Sequence, residues 1–490
     1  MRRRLTVPSR EEILNGPVVK TMFRLAWPIM ISAFLNMLYN MADTFWVGHL
    51  PASENTAAVA GLQLSGPVIW LLMSFAAGFA SAGLALVSQY VGAHDEVNAE
   101  KAAGQSMSLG IIYGIGVAIV GFLLTPVVLP LLTGATDVSS AAVRYTRLIF
   151  LGMPAVFVTA LYAQLMNAYG DTVMPMIINA FTVLLNVVLD PFLIFGWGPF
   201  PRMTVEGAAL ATSLCQVIAA AISLWLLMSG RRRLHVVWRD LRPEFPWVRR
   251  LLRIGIPAAI GGSGTSLGFV VLTAIVGRVP NATIALSAYG IGDRLIMTTG
   301  IITDSAGIGI ATMVGQALGA GRDKRANAVV KHGTIAVVVI LAAASIFLRV
   351  IAPTVFRWFI PNQPAVIAEG VLFLSIFLWA NPFFGLMMGV QSAFMGAGHN
   401  GPNMVLDLVR LWGLRVPLAW LLGIVMHMGS RGVWTSMTIS NVVAGTLSLI
   451  LILTVDWHRS VIETGPAPDP ALVAEGVATF SADADSTSSL

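Results

Sequence analysis

Twelve apolar runs, each about 24 residues or longer and almost free of charge, set the terms for this chain. They fall at roughly 21–47, 57–89, 102–126, 142–168, 173–196, 206–229, 252–277, 283–318, 331–356, 366–395, 402–426 and 432–455. About 20 residues of α-helix cross the hydrocarbon core of a bilayer. In lipid no water satisfies backbone N–H and C=O groups, so a spanning segment must be a helix or part of a closed barrel, and runs of this length select helices. The predicted fold class is an all-α polytopic membrane protein. Composition agrees: 11% of the 490 residues are charged, against about 25% in a soluble domain.

The start of the chain (MRRRLTVPSREEILNG) is basic but polar, and the apolar run after it is long, so the first run reads as a retained helix rather than a cleaved signal. With the N-terminus inside, about 20 of the 30 Lys and Arg fall on the cytoplasmic side, as the positive-inside rule requires. This places both termini in the cytoplasm and the chain in the cell membrane. The richest basic stretch, RRRLHVVWRDLRPEFPWVRRLLR (231–253), carries Trp238 and Trp247 among arginines and reads as a segment lying on the inner membrane surface. Topology thus accounts for the basic balance, and no nucleic-acid partner is expected. Beyond Arg459 the chain is rich in Pro, Ala, Ser and Asp and reads as a disordered tail. The single cysteine, Cys215, lies in an apolar run, so no intramolecular disulfide is possible.

The chain repeats itself. VSQYVGAHDEVNA (87–99) aligns with VGQALGAGRDKRA (314–326), matching Gln89 to Gln316, Gly92 to Gly319 and Ala99 to Ala326. Pro28, Gly48, Gly61, Pro154 and Gly170 correspond to Pro257, Gly277, Gly290, Pro382 and Gly398, at an offset of 227–229 residues throughout. Each unit holds six spans, an even number, so both enter the membrane in the same direction. Two six-helix lobes related by a pseudo-two-fold along the membrane normal follow, as in transporters built from parallel repeats. The predicted parts are a cytoplasmic segment (1–20), a first lobe (21–229), a basic linker (230–251), a second lobe (252–455) and the tail (456–490).

Several chemistries lack their residues. No G-x-x-x-x-G-K-[ST] phosphate loop occurs, the seven histidines sit in predicted loops or near span ends, and no HExxH or local catalytic cluster appears. An enzyme is therefore not expected, nor a cofactor. Ion gradients remain as the energy source, at about 2.3 kcal/mol per charge per 100 mV.

Coupling to an ion needs an ionisable group inside the membrane. Asp43 is the only formally charged residue from Leu25 to Gly48, and a carboxylate at the centre of a span costs about 2.5–3.5 kcal/mol on insertion scales. Asn36, Asn40 and Asp43, with Tyr39 alongside, form one polar stripe on the first span. Asn179, Thr182, Asn186 and Asp190 form another on the fifth. The two stripes should face each other or a wet cavity, with Asp43 and Asp190 at similar depth. Pro191 frees a backbone carbonyl beside them. Such a site suits H⁺ or Na⁺, and two carboxylates in one poorly hydrated place do not both ionise cheaply. In the second lobe the matching positions are Leu272 and Leu418. There Asp293, Asp304, Asp407, Arg294, Arg410 and Arg415 supply both signs and read as compensated ion pairs, with Asp407 and Arg410 spaced i, i+3.

GPVVKTMFRLAWPIMIS, YNMADTFWVG, the paired QYVGA and QALGA, NAYGDTVMPM, NVVLDP and EGAALAT, taken in order, resemble the multidrug and toxic compound extrusion family, from about residue 16 to 455. The resemblance implies an antiporter of drugs against H⁺ or Na⁺. It implies a cation site built from Asp43, Asn186, Asp190 and Thr212, with the Ala208 carbonyl nearby; any bound Na⁺ would sit there. It also implies bending at Pro28, with Pro191 as a second hinge candidate. A branch of that family uses acids on the seventh and tenth spans. Here the seventh has none and the tenth offers Asn381 before Pro382, so the chain falls with the first-lobe branch.

The candidate cargo cavity comprises Asn36, Tyr39, Asn40, Gln164, Asn167, Asn179 and Thr182. An acid-lined cavity in apolar walls suits lipophilic cations, and drugs and membrane lipids are the expected partners of a functional monomer. A flippase for lipid-linked precursors is the alternative; such proteins often carry extra helices and a basic cavity, whereas this chain has twelve spans and an acidic first lobe.

Overall fold

A computed structural model describes residues 7–49, 52–133, 136–230 and 234–462; the side chains of 43, 44, 47, 48, 52–71, 128–133 and 136–142 fall outside that description. Among the described residues, twelve helices are long and apolar enough to cross a membrane. In the first lobe they are α1 (Val18–Gly48), α2 (Ala52–Gly92), α3 (Glu96–Thr133), α4 (Thr136–Tyr169), α5 (Val173–Phe195) and α6 (Val205–Met228). In the second they are α7 (Phe245–Val276), α8 (Ala282–Gly319), α9 (Asp323–Phe359), α10 (Pro364–Ala397), α11 (Asn400–Val425) and α12 (Gly429–Thr454). Helix α10 tightens into a 3-10 turn at Leu378–Ala380, and α11 widens into π turns at Val409–Arg415 and Leu421–Val425. Every predicted span is present. Their outer faces are apolar and exposed, as at Leu123, Val350 and Leu453, which is how a helix presents itself to lipid.

Packing repeats with the sequence. Within the first lobe α1 lies on α5, α2 on α4 and α4 on α6; within the second α7 lies on α11, α8 on α10 and α10 on α12. Helices α4 and α10 both end at a glycine in the left-handed region, Gly170 at φ 94° and Gly398 at φ 77°. These are repeat-equivalent positions, and each turn exploits a conformation open to glycine at no steric cost.

Between the lobes, α2 packs on α7 and α8, and α1 packs on α8. The α2–α8 crossing explains the repeated Gln-x-x-Gly. Gln89 Nε2 donates to the Gly396 carbonyl at 3.1 Å, and Gln316 Nε2 donates to the Ala168 carbonyl at 2.9 Å. These are two copies of one bond, each donated into the opposite lobe. The glycines let the two backbones meet: a Cβ at Gly92 would lie 2.2 Å from the Gln316 oxygen, and one at Gly319 1.8 Å from the Gln89 oxygen. Thr312 Oγ1 adds a bond to the Asn167 carbonyl at 3.0 Å.

Both ends of the described chain reinforce this junction. A short helix, Arg10–Asn15, is capped by Ser9 and held to the second lobe by Arg325, whose Nη2 donates to the Ile13 and Gly16 carbonyls at 2.8 and 2.7 Å. Arg10 bonds to His94 Nδ1 at 2.8 Å and to the Gly92 carbonyl. Burial first, and then the Arg10 charge, lower the His94 pKa, which keeps the ring neutral as an acceptor. The tail expectation divides at this point. Residues 463–490 lie outside the described residues, but Trp457 and Ile462 are buried and Ser460 Oγ donates to Gln89 Oε1 at 2.8 Å. Apolar side chains and a buried amide partner hold a stretch that composition alone assigns to the tail.

The linker is also anchored. Residues 231–233 lie outside the described residues; beyond them Leu234 and Val236 are buried, and Gln105 Nε2 donates to the Asp240 and Arg242 carbonyls at 2.7 and 2.6 Å. Trp238 is exposed, whereas Trp247 lies under Lys101 and Arg250 and against Tyr90. Of the two tryptophans, only Trp238 faces outward as a surface segment requires.

Candidate functional site

Helix α5 supplies the buried acid. Asn186 and Asp190 are one turn apart, both 0% exposed, and Asn186 Nδ2 donates to Asp190 Oδ1 at 3.2 Å. Asn186 Oδ1 has no hydrogen-bond partner among the described residues. The helix runs unbroken through Pro191 to Phe195 and ends at Gly196, whose N–H reaches the Phe192 carbonyl. Pro28 likewise lies inside a continuous α1. Both prolines are thus potential bending points within intact helices.

The three helices of the predicted cation site come together. Asn179 Nδ2 on α5 donates to the Ser32 carbonyl on α1 at 3.0 Å, and Tyr39 OH on α1 donates to Thr212 Oγ1 on α6 at 2.8 Å. Ala208, one turn before Thr212, is buried in an apolar cluster with Ile194, Val205 and Tyr145, against which Trp46 of α1 packs. A Cβ on Gly207 would lie 2.4 Å from the Leu193 carbonyl, so α5 and α6 touch at backbone level beside Asp190. Asp43 sits near the far end of α1, but its side chain lies outside the described residues.

The predicted cargo residues divide. Asn36 and Asn40 are exposed, with Asn40 Nδ2 bonded to the Asn36 carbonyl at 2.9 Å. Thr182 is buried and donates to the Ile178 carbonyl at 2.8 Å, a bond within its own helix. Gln164 Oε1 accepts from Asn167 Nδ2 at 3.4 Å, and Asn167 is buried where its carbonyl receives Thr312 from the other lobe. Asn167 therefore belongs to the interlobe junction. Its i, i+3 spacing from Gln164 is visible in sequence, but its partner 145 residues away is not.

The second lobe holds one of the expected ion pairs. Arg410 Nη2 lies 3.8 Å from Asp407 Oδ1, and the guanidinium also sits over the Phe384 ring. Arg415 departs from close pairing: its hydrogen bonds go to Ser440 Oγ at 2.9 Å and to Asn441 Oδ1, both neutral, and the Asp293 carboxylate acts on it at longer range. Asp304 departs further, because it forms no hydrogen bond or ion pair among the described residues. The i, i+3 rule finds partners only on the same helix, so Arg415's contacts on α12 were out of its reach. Asn381 donates to Ser345 Oγ at 3.1 Å and is buried. Replacing Arg410 by glutamine should leave Asp407 uncompensated and cost about 3–5 kcal/mol. A fall in melting temperature and in yield of folded protein is the expected outcome, read by thermal melting of the purified variant.

Two six-helix lobes meeting along a pseudo-two-fold, with polar groups buried between and within them, define a membrane transporter. The chain belongs to the MatE family, whose model matches residues 28–192 and 257–421; Pro28 and Pro257 open the two matched units. It is 26% identical over 451 residues to a probable multidrug resistance protein NorM of Thermotoga maritima, covering 91% of this chain and 94% of that one. It is 25% identical over 439 residues to an FAD transporter of Shewanella oneidensis, covering 89% and 95%. A solved structure described as the outward-facing conformation of a multidrug resistance MATE family transporter superposes with a TM-score of 0.82 at 22% identity, over 91% of this chain and 97% of that one, and shares the fold.

Proposed function

We propose that this protein exports lipophilic organic cations in exchange for H⁺ or Na⁺, moving each through alternating access between its two lobes. The observation that carries the reading is the fully buried Asn186–Asp190 pair on α5, set where α1, α5 and α6 are tied together by Asn179–Ser32 and Tyr39–Thr212. An ionisable group inside a membrane bundle is costly unless it is used. The coupling ion binds at Asp43, Asn186, Asp190 and Thr212, with the Ala208 carbonyl as a neighbouring oxygen. Its arrival changes the charge between three helices, two of which carry prolines at which they can bend.

With the N-terminus and linker in the cytoplasm, the Gln89 and Gln316 bonds tie the lobes together at the cytoplasmic end. Binding of the ion from outside then releases cargo and permits the lobes to rock. The protein works as a monomer in the cell membrane, with both termini inside and lipid around its apolar faces. One relative is called an FAD transporter, and FAD is an anion; the acids of this chain's interior favour cationic cargo instead. The described lining of the cavity between the lobes carries the carboxylates Asp304 and Asp407 and no basic side chain, which does not favour the lipid-flippase reading.

The test is efflux of a cationic dye from proteoliposomes under a proton gradient or a sodium gradient imposed separately. Efflux driven by one of them names the ion. Flux that follows dye concentration alone under both gradients refutes antiport.

A further inference from the structure

A cavity of about 300 Å³ opens between the lobes, lined by α2 of the first and by α7, α8, α10 and α11 of the second. No described residue of α1, α5 or α6 lines it, and its described lining shares no residue with the site proposed for the coupling ion. Its floor is closed where Asn400 Nδ2 donates to Ser81 Oγ at 2.9 Å and to the Ile254 carbonyl at 3.0 Å. Two carboxylates, Asp304 and Asp407, face it. Asp407 is already answered: Gln391 Nε2 donates to it at 3.1 Å and Arg410 stands 3.8 Å away. Asp304 is accessible from the cavity and has no hydrogen-bond or ion-pair partner among the described residues.

Among the described residues, one acid lining the cavity is therefore left uncompensated. A carboxylate inside a membrane bundle is normally paired or functional, and here the missing partner is a cation. The rest of the lining identifies its class. Met388, Met395 and Met404 present flexible, polarisable thioethers to the space, with Ile308, and such walls adapt to apolar bodies of varied shape. The volume is at the lower end of small-molecule sites. We propose that this cavity is the cargo site, and that Asp304 is the recognition carboxylate for a monovalent amphiphilic organic cation, its charge against Asp304 and its apolar body against the methionines. The single uncompensated acid selects one positive charge. This deepens the export reading above and rests on it for the direction of transport, but not for binding.

The experiment is equilibrium binding of tetraphenylphosphonium and of an uncharged aromatic of similar size to the full chain in nanodiscs, without any gradient. Wild type, Asp304→Asn and Asp304→Glu are compared, with thermal melting of each. Asp304→Asn should weaken phosphonium binding at least about tenfold, leave the neutral probe within about twofold, and leave the melting temperature unchanged or raised; Asp304→Glu should retain most of the phosphonium affinity. Equal phosphonium binding by wild type and Asp304→Asn overturns the assignment while leaving the export reading intact. Equal loss of both probes, or loss that tracks a lowered melting temperature in both variants, makes Asp304 structural and overturns it too. A sodium-dependent melting shift lost in Asp304→Asn, with phosphonium binding retained, reassigns the site to an inorganic cation. Wild type that binds no cationic probe defeats the cationic-cargo reading itself.

Discussion

Proteoliposomes carrying Asp190→Asn should show gradient-driven efflux reduced about a hundredfold, at the upper end of typical site-to-site coupling, to the level of passive leak. Asparagine is nearly isosteric with aspartate and can keep a hydrogen bond to Asn186, now 3.2 Å from the carboxylate. It cannot take up or release a proton, and it offers Na⁺ a neutral oxygen in place of a charge. Asp190 is 0% exposed, and burying an ionised group is costly, so the variant should melt at the same temperature or higher. Cationic probe should still bind at equilibrium, because no described residue of α5 lines the cavity beside Asp304. Loss of coupled flux with binding and stability retained separates an ion-coupling group from a structural one. More than a tenth of wild-type coupled efflux in Asp190→Asn would remove Asp190 from the coupling site and leave Asp43 to carry it.

The second large effect should come from a residue without a side chain. At Gly319 an added Cβ would stand 1.8 Å from the Gln89 backbone oxygen, with the Gln89 carbonyl carbon and Cα at 2.6 and 2.7 Å. Backbone cannot swing aside as a side-chain tip can, so Gly319→Ala must push α2 and α8 apart. Overpacking of this kind typically costs about 1–3 kcal/mol, about one to two decades in an equilibrium constant. The strain falls on the state in which the helices cross, so the population should move toward one with this end open. Gly92→Ala should act alike through the pseudo-two-fold, since its Cβ would lie 2.2 Å from the Gln316 oxygen. Gly300→Ala on the same helix α8 is the control: nothing lies within 4 Å of its Cβ, and alanine favours the helix.

A single cysteine at Thr312, in a background with Cys215 replaced by serine, reports the outcome. Thr312 is 1% exposed and bonded across the junction, so an impermeant maleimide from the linker side should label it slowly in the parent. Labelling should be roughly tenfold or more faster in Gly319→Ala and Gly92→Ala, and coupled efflux should fall in parallel. Unchanged labelling in both would mean that the crossing relaxes locally and does not act as a gate.

Periodicity and spacing carried much of this protein. Span length against bilayer thickness determined the twelve helices, and the repeat at an offset of 227–229 determined that they form two equivalent lobes. The Asn186–Asp190 pair was also legible, because i, i+4 neighbours on a helix must share a face. So was the Asp407–Arg410 pair, at i, i+3. These are consequences of the geometry of one helix. What the tertiary structure decided are contacts between helices far apart in the chain: Tyr39 with Thr212, Gln89 with Gly396, Gln316 with Ala168, Asn400 with Ser81. A repeat in sequence identifies Gln89 and Gln316 as equivalent, but only docking of the lobes brings each to the other's backbone. The same docking leaves Asp304 facing a cavity whose described lining holds no basic side chain, while the hydrogen bonds of Arg415 on α11 go to neutral Ser440 and Asn441. Helical periodicity can place a charge on a face; which face meets which is determined by close packing of whole lobes, and that is where a compensated pair becomes distinguishable from an acid with no protein partner among the described residues.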